Sequence, residues 1–378
     1  MTTNTIVFIL SFFLVYLFTP LLIRMAPRMG TMDMPNERKV HCQPIPRFGG
    51  PGIYLGFTVA AFLGLFFFNR TLLVSLPDAY YGLFVGQFII FGVGAYDDIK
   101  GSSPLIKFGA QIAAAAVVIA MGATIPIVTI PSIEHFATKH ALSVHIAGAL
   151  SWALPMLWIV GITNAFNLID GLDGLAAGLA FIAAATLFIA AVNMGNLPGC
   201  MMYTALAGAA LSFLRFNYYP AKIFLGDSGS MFIGFTLASL SIIGRQKSTT
   251  AAILLTPLVV MGIPIFDTLL AIVRRLLERR PIFSADKKHL HHSLLARGLH
   301  HKSAVNAIYA AAIFFSAISI VMMNANDDFA ALIVVVVSMT AGILAHKIGI
   351  INIKLLVSRR VEECAPEGNG GTAAHPEK

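Results

Sequence analysis

The sequence predicts an all-α polytopic membrane protein, a bundle of about 10–11 transmembrane helices, and three observations carry that expectation. Hydrophobic residues make up 57% of the 378 and charged ones only 12%, giving a mean hydropathy of +0.80. The apolar character extends along nearly the whole chain instead of sitting in one or two patches. It is divided into runs near the ~20 residues that a helix needs to cross a bilayer, with the charges collected between them.

Apolar windows place spans at about 4–26, 47–68, 79–95, 104–122, 145–162, 175–192, 199–214, 228–243, 251–275, 304–323 and 329–349. The first has no basic segment before it, and no small-residue cleavage site interrupts its run into Pro20 and Arg24, so it reads as a retained helix. The three cysteines, Cys42, Cys200 and Cys364, have neither the spacing of a zinc site nor the even count of a bridged framework. The net charge of +8 comes from residues flanking spans, which points to orientation and anionic head groups and away from nucleic acid. With the N-terminus outside and the C-terminus inside, 22 of the 26 Lys and Arg fall on the internal side, leaving Arg70, Lys139, Arg245 and Lys247 outside. No internal repeat is evident.

That orientation also sorts polar residues that played no part in choosing it. Residues 32–41, Tyr96 to Lys100, the turn Asn164–Asp173, Phe224 to Ser230 and the loop Arg279–Lys302 all fall inside. The external loop 123–144 is a Val/Ile/Thr/Pro mix that suits a short hairpin. Residues 1–360 form the integral membrane domain, and the Gly/Pro/Glu-rich stretch 361–378 reads as a disordered internal tail.

The turn from Asn164 to Leu175 is the organising stretch, since carboxylates and amides do not lie between spans without cost. Its glycines let the backbone approach a ligand, and Asn167, Asp170 and Asp173 offer hard oxygen donors suited to Mg²⁺; a solvated Asx-rich turn is the plainer alternative. Asp97 and Asp98 end the third span side by side, where the helix dipole disfavours them, so a metal or a lysine is expected between them. Lys107, just inside the next span, is either a phosphate-binding cation or a lysine snorkelling to the interface. Asp227 in Gly226-Asp227-Ser228-Gly229-Ser230 precedes an apolar helix, a setting for anion binding or for an ordinary N-cap. His289, His291 and His292, with Arg297 beyond, lack the HExxH spacing and favour anion binding over zinc. Asp267, inside the ninth span, is a site acid or a buried structural one.

Taken together and in order, these segments resemble the polyprenyl-phosphate N-acetylhexosamine-1-phosphate transferases. The likeness runs through Asp33 to Gly50 with Pro35-Asn36, Asp97-Asp98, Lys107, Asn164 to Gly174, Gly226-Asp227…Gly229-Ser230 and His289…His291-His292. The Lys-His-Leu-His-His-Ser loop is most similar to the bacterial undecaprenyl-phosphate GlcNAc-1-phosphate transferases; a third acid that some members carry is Gly101 here. The resemblance implies transfer of GlcNAc-1-phosphate from UDP-GlcNAc to undecaprenyl phosphate, giving undecaprenyl-diphospho-GlcNAc and UMP. That is the first membrane step of a cell-surface glycan such as lipopolysaccharide O-antigen or teichoic acid. It implies a cytoplasmic-face active site in the bacterial inner membrane, Mg²⁺ with Mn²⁺ as the alternative, and compatibility with a homodimer. Asp97, Asp98 and Asp227 are then catalytic, Asp227 and Asn167 hold metal, and Asn36, Lys107, Asn164, Asp170, Asp173, His289, His291, His292 and Arg297 bind substrate.

The alternatives within the reaction type are another UDP-N-acetyl sugar or UDP-MurNAc-pentapeptide. An intramembrane aspartyl protease needs Gly-x-Gly-Asp, and Phe224 stands where its first glycine belongs. An ion-coupled transporter places acids near the bilayer midplane, whereas most acids here lie at one face.

Overall fold

The computed structural model of the protein describes residues 2–35, 43–68, 74–124, 141–244, 251–279, 289–323 and 325–347. The chain runs α1 (Thr2–Met29), β1 (Met32–Asp33), β2 (Ile45–Pro46), α2 (Gly50–Phe68), α3 (Asp78–Lys100), α4 (Pro104–Ala120) and α5 (Ala141–Ile169). It continues through α6 (Leu175–Asn193), α7 (Leu197–Asn217), α8 (Gly226–Ile243), α9 (Ala251–Val260) and α10 (Gly262–Leu277). The last elements are α11 (Leu290–Ala296), α12 (His301–Met322) and α13 (Asp327–Lys347).

Each of the eleven apolar windows is helical over most of its described length. Eight helices among the described residues are long and apolar enough to cross a membrane. α4 has 17 residues, and the apolar part of α13 is Asp328–Thr340. The ninth window is not one span: Pro257 and Pro264 remove backbone donors on either side of Met261, and the helix breaks there into α9 and α10. A short antiparallel ribbon, Met32 opposite Pro46 and Asp33 opposite Ile45, is the other departure from an all-α chain. The expected hairpin at 123–144 falls largely outside the described residues, and the tail 361–378 entirely so.

α8 is the axis of the bundle, buried at every residue from Ser228 to Ile243. It packs on α2, α3, α5 and α6. With little hydrophobic drive between helices in lipid, small residues and polar links decide such packing. At Gly94 of α3 an added Cβ would fall 2.5 Å from the Cα of Ser228, so only glycine permits this crossing. Buried hydrogen bonds join the same layers: Gln87 Nε2 donates to Thr236 Oγ1 at 2.9 Å and Trp158 Nε1 to Ser241 Oγ at 3.0 Å. The outer helix faces show large apolar side chains such as Leu17, Phe67 and Phe88, as a lipid-facing surface does.

Candidate active site

The Gly94 crossing brings the C-terminal end of α3 to the N-terminal end of α8, and with it Asp97 and Asp98 to Asp227. Oxygen atoms from all three lie within 4.8 Å of one another. Like charges so placed repel by roughly 4 kcal/mol per pair at an effective dielectric near 20, so the cluster needs positive charge. Two cations supply it. Lys107 Nζ is 2.7 Å from Asp227 Oδ2 and 3.4 Å from Asp97 Oδ1, while Arg47 Nη2 is 3.1 Å from Asp227 Oδ1 and 3.5 Å from both Asp97 and Asp98. The expected lysine is therefore present, and the arginine was not foreseen.

Arg47 reaches the cluster because its segment is pinned on both sides. Its N–H donates to Thr31 O at 2.8 Å, Phe224 N–H donates to Pro46 O at 2.7 Å, and Gly49 and Gly50 donate to Phe224 O and Leu225 O at 3.0 and 2.9 Å. Burial works against its charge, but Asp227, then Asp98 and Asp97, outweigh that and hold the guanidinium above its usual range.

The three acids have different surroundings. Asp98, whose side chain is 0% exposed, accepts the Asp227 and Ser228 N–H groups at 2.8 and 3.1 Å and the Ser228 hydroxyl. It thereby caps the first turn of α8. Asp97, 7% exposed, accepts the Ser102 N–H and hydroxyl at 2.8 and 2.7 Å. Asp227, 16% exposed, is the most accessible of the three, and both cations bind its carboxylate. Asp227 and Asp97 offer the hard oxygen donors that suit a divalent cation, whereas both Asp98 oxygens are taken by the α8 turn. Asn167 Nδ2 donates to Ser230 Oγ at 3.0 Å, which leaves its Oδ1 as the ligand atom it can offer.

Two cavities meet beside this cluster. A polar one of about 440 Å³ is lined by Arg47, Asp170, Asp173, Tyr219, Phe224 and Asp227, among others. The other, about 870 Å³, is a largely apolar groove between α4, α5 and α10 whose walls include Phe108, Leu157, Val160 and Ile272. Asn167, Gly171 and His292 line both. Asp170 lies in the turn between spans, where burial first and the Asp227 charge second push its carboxyl well above the ordinary range.

The histidine loop closes the junction. Asp267 accepts the Leu290 N–H at 2.7 Å and pairs with His289 Nδ1 at 2.8 Å, so this intramembrane acid anchors the loop. His291 packs on Gly171, where an added Cβ would sit 2.5 Å from its Nε2. Burial, then the neighbouring His292, pushes His291 down to about 3, so the ring is neutral at physiological pH. His289 and His291 are parallel at 5.8 Å and line the groove.

The remaining expected residues divide. Asn164 lines the groove, its amide donating to Gln111 Oε1 at 2.6 Å and Val160 O at 2.8 Å. Asp173 Oδ2 accepts the Ala221 N–H at 2.9 Å, tying its turn to the segment before α8. Arg297 is exposed at the end of α11 and lines neither cavity. Asn36 lies outside the described residues. Sequence reasoning missed Arg47, Asn217, Tyr219, Phe224 and His301 as lining residues; Arg47 precedes Gly49-Gly50 within a segment already singled out, and that was the available signal.

The profile of glycosyl transferase family 4 matches residues 80–245, which hold the acids, the turn and α8. A Bacillus subtilis protein named a probable undecaprenyl-phosphate N-acetylglucosaminyl 1-phosphate transferase is 37% identical over 350 residues, 92% of this chain and 93% of its own. A decaprenyl-phosphate N-acetylglucosaminephosphotransferase of Mycobacterium tuberculosis is 37% identical over 332 residues, 82% and 80% of the two chains. The undecaprenyl-phosphate alpha-N-acetylglucosaminyl 1-phosphate transferase of Escherichia coli K12 is 27% identical over 314 residues, 81% of each.

Proposed function

Because the chain belongs to glycosyl transferase family 4, we propose that it transfers N-acetylglucosamine 1-phosphate from UDP-GlcNAc to undecaprenyl phosphate. The observation that carries this reading is the junction of a polar, aromatic-walled cavity with an apolar groove beside a cation-bridged acidic cluster. A nucleotide sugar suits the first and a prenyl chain the second. The nucleobase lies toward Tyr219 and Phe224, and the diphosphate toward Arg47, the cation in that wall.

The lipid phosphate, with its second pKa near ~6, is mostly deprotonated at neutral pH and needs little base catalysis. Its oxygen attacks the phosphorus that bears the sugar; the bond to the UMP phosphate breaks, and UMP leaves with the electron pair. Arg47 and Lys107 exchange carboxylate partners for phosphate oxygens and bear the charge that gathers on UMP. Asp98 acts through Asp227, fixing the α8 turn that presents it. The neutral His291, locked against Gly171, and its neighbours keep the junction closed to bulk water. A divalent cation, which Asp227 with Asn167 or Asp97 would hold, supplies further neutralisation of the diphosphate.

The site lies in the inner membrane with the acids and histidine loop facing the cytoplasm, the N-terminus outside and the C-terminus inside. Positive-inside charge supports this orientation. Labelling of Ser293→Cys only after permeabilisation is the expected result, and labelling in intact cells would refute it. The reaction is tested with membranes given undecaprenyl phosphate and a panel of UDP-sugars. UMP and a lipid-linked product should form with UDP-GlcNAc; turnover of UDP-MurNAc-pentapeptide instead would refute the substrate.

A further inference from the structure

Lys107 reaches Asp227 from the start of α4, and one turn farther from the acids, on the same face of that helix, stands Gln111. The neighbours of Gln111 are likewise one turn removed from the site residues on their own helices: Met231 follows Asp227 on α8, and Asn164 precedes Asn167 on α5. The side-chain amides of Gln111 and Asn164 pair reciprocally, Asn164 Nδ2 donating to Gln111 Oε1 at 2.6 Å and Gln111 Nε2 to Asn164 Oδ1 at 3.4 Å. The same Nε2 donates to Met231 Sδ at 3.4 Å, so one side chain, 2% exposed, joins α4 to both α5 and α8. After Ile112 the helix continues through four alanines, 113–116, and the buried Ala114 and Ala115 give that turn no large side chain to lock into a neighbour. Apolar contact drives little association between helices in lipid, so polar links between them carry more of the register. A lysine head sits on a flexible four-carbon stem, and the height of its backbone decides which oxygens it meets.

We propose that Gln111 is a positioning residue: its links to Asn164 and Met231 fix α4 at the height that brings the Lys107 ammonium to Asp227 and to the phosphate oxygens it serves. This rests on Lys107 taking phosphate oxygens, as assigned above, and makes the contribution of Gln111 to nucleotide binding pass through Lys107.

A double-mutant cycle separates that role from general packing. UMP binding is measured on the purified full-length protein as wild type, Gln111→Met, Lys107→Gln and the double variant, with melting temperatures and the KM for undecaprenyl phosphate alongside. Gln111→Met keeps the length of the side chain but not its amide. It should weaken UMP binding about threefold to tenfold, the range that a side-chain hydrogen bond between membrane helices gives, with the lipid KM within twofold. In the Lys107→Gln background the same substitution should change UMP binding by less than twofold. Equal weakening in both backgrounds would overturn the proposal, because Gln111 would then act independently of Lys107. Wild-type UMP affinity in Gln111→Met would overturn it as well. Where Gln111→Met loses the fold, Asn164→Ser breaks the same amide pair from α5, and the same UMP affinities are expected of it in the two backgrounds. Unchanged UMP binding in Lys107→Gln would remove the role given to Lys107 and the proposal with it, whereas a wild-type protein that binds no UMP would overturn the underlying functional reading instead.

Discussion

The polar cavity and the apolar groove share a rim but are made differently. Turns and helix ends make the polar one: the 170–174 turn, the 217–227 segment and the strand-like segment through Arg47, cross-tied by hydrogen bonds from backbone N–H groups, such as Phe224 N–H to Pro46 O and Gly174 N–H to the side-chain Oδ1 of Asn217 at 3.0 Å. The groove consists of helix faces, most of its apolar wall coming from α4 and α5 with Ile272 added from α10. A site for a charged, rigid ligand needs fixed donors and acceptors, and these are supplied where the chain leaves the helix. A site for a flexible hydrocarbon needs only shape and surface.

The largest effects should come from breaking the polar side. Asp227→Asn keeps the shape but removes charge from the most accessible acid, and activity should fall about a thousandfold or more, with raised Mg²⁺ recovering part of it. Asp98→Asn should also be inactive, but with a lowered melting temperature and no metal recovery, because its two oxygens hold the α8 turn. Equal metal recovery in both would merge the roles assigned to them. Arg47→Gln should cost about a hundredfold in kcat/KM for UDP-GlcNAc and weaken UMP binding, leaving the lipid KM unchanged.

The groove should respond more mildly and to the other substrate. Gly161 lines it with open space around its Cα, so Gly161→Leu adds bulk without a clash. The KM for undecaprenyl phosphate should rise about tenfold by crowding the chain, with UMP binding unaffected. A change in UMP binding instead would show that the two cavities are not separate sites.

The smallest effect concerns pH at the shared rim. His291 is lowered in the folded protein from 6.5 to about 3. Between those values the unfolded chain binds a proton that the folded one does not, so stability contributed by the neutral ring is present above pH 6.5 and is lost as pH falls toward 3. Melting curves should therefore fall less steeply across that window in His291→Phe than in the wild type.

The same contrast governs what the sequence reveals. Asp97, Asp98, Asn167, Asp170, Asp173 and Asp227 stand out because polar groups beside spans are costly, and short-range motifs hold them. All of them lie in the cluster or line the cavities. His301 and Tyr219 were illegible because their meaning depends on which ends of α7 and α12 come together. The groove was illegible for another reason: Phe108, Leu157 and Ile272 differ in no local way from lipid-facing residues. Eleven helical windows were readable by hydropathy, yet the break at Met261 was not, although Pro257 and Pro264 announce it.

The central claim, that nucleotide and lipid occupy different cavities that meet at Asn167, Gly171 and His292, is tested most directly by photo-crosslinking. A photoreactive uridine nucleotide should label Tyr219 or Phe224, and an undecaprenyl phosphate analogue with the photoreactive group in its chain should label Leu157 or Ile272, neither displacing the other. Labelling of one set of residues by both probes, with mutual competition, would contradict the account.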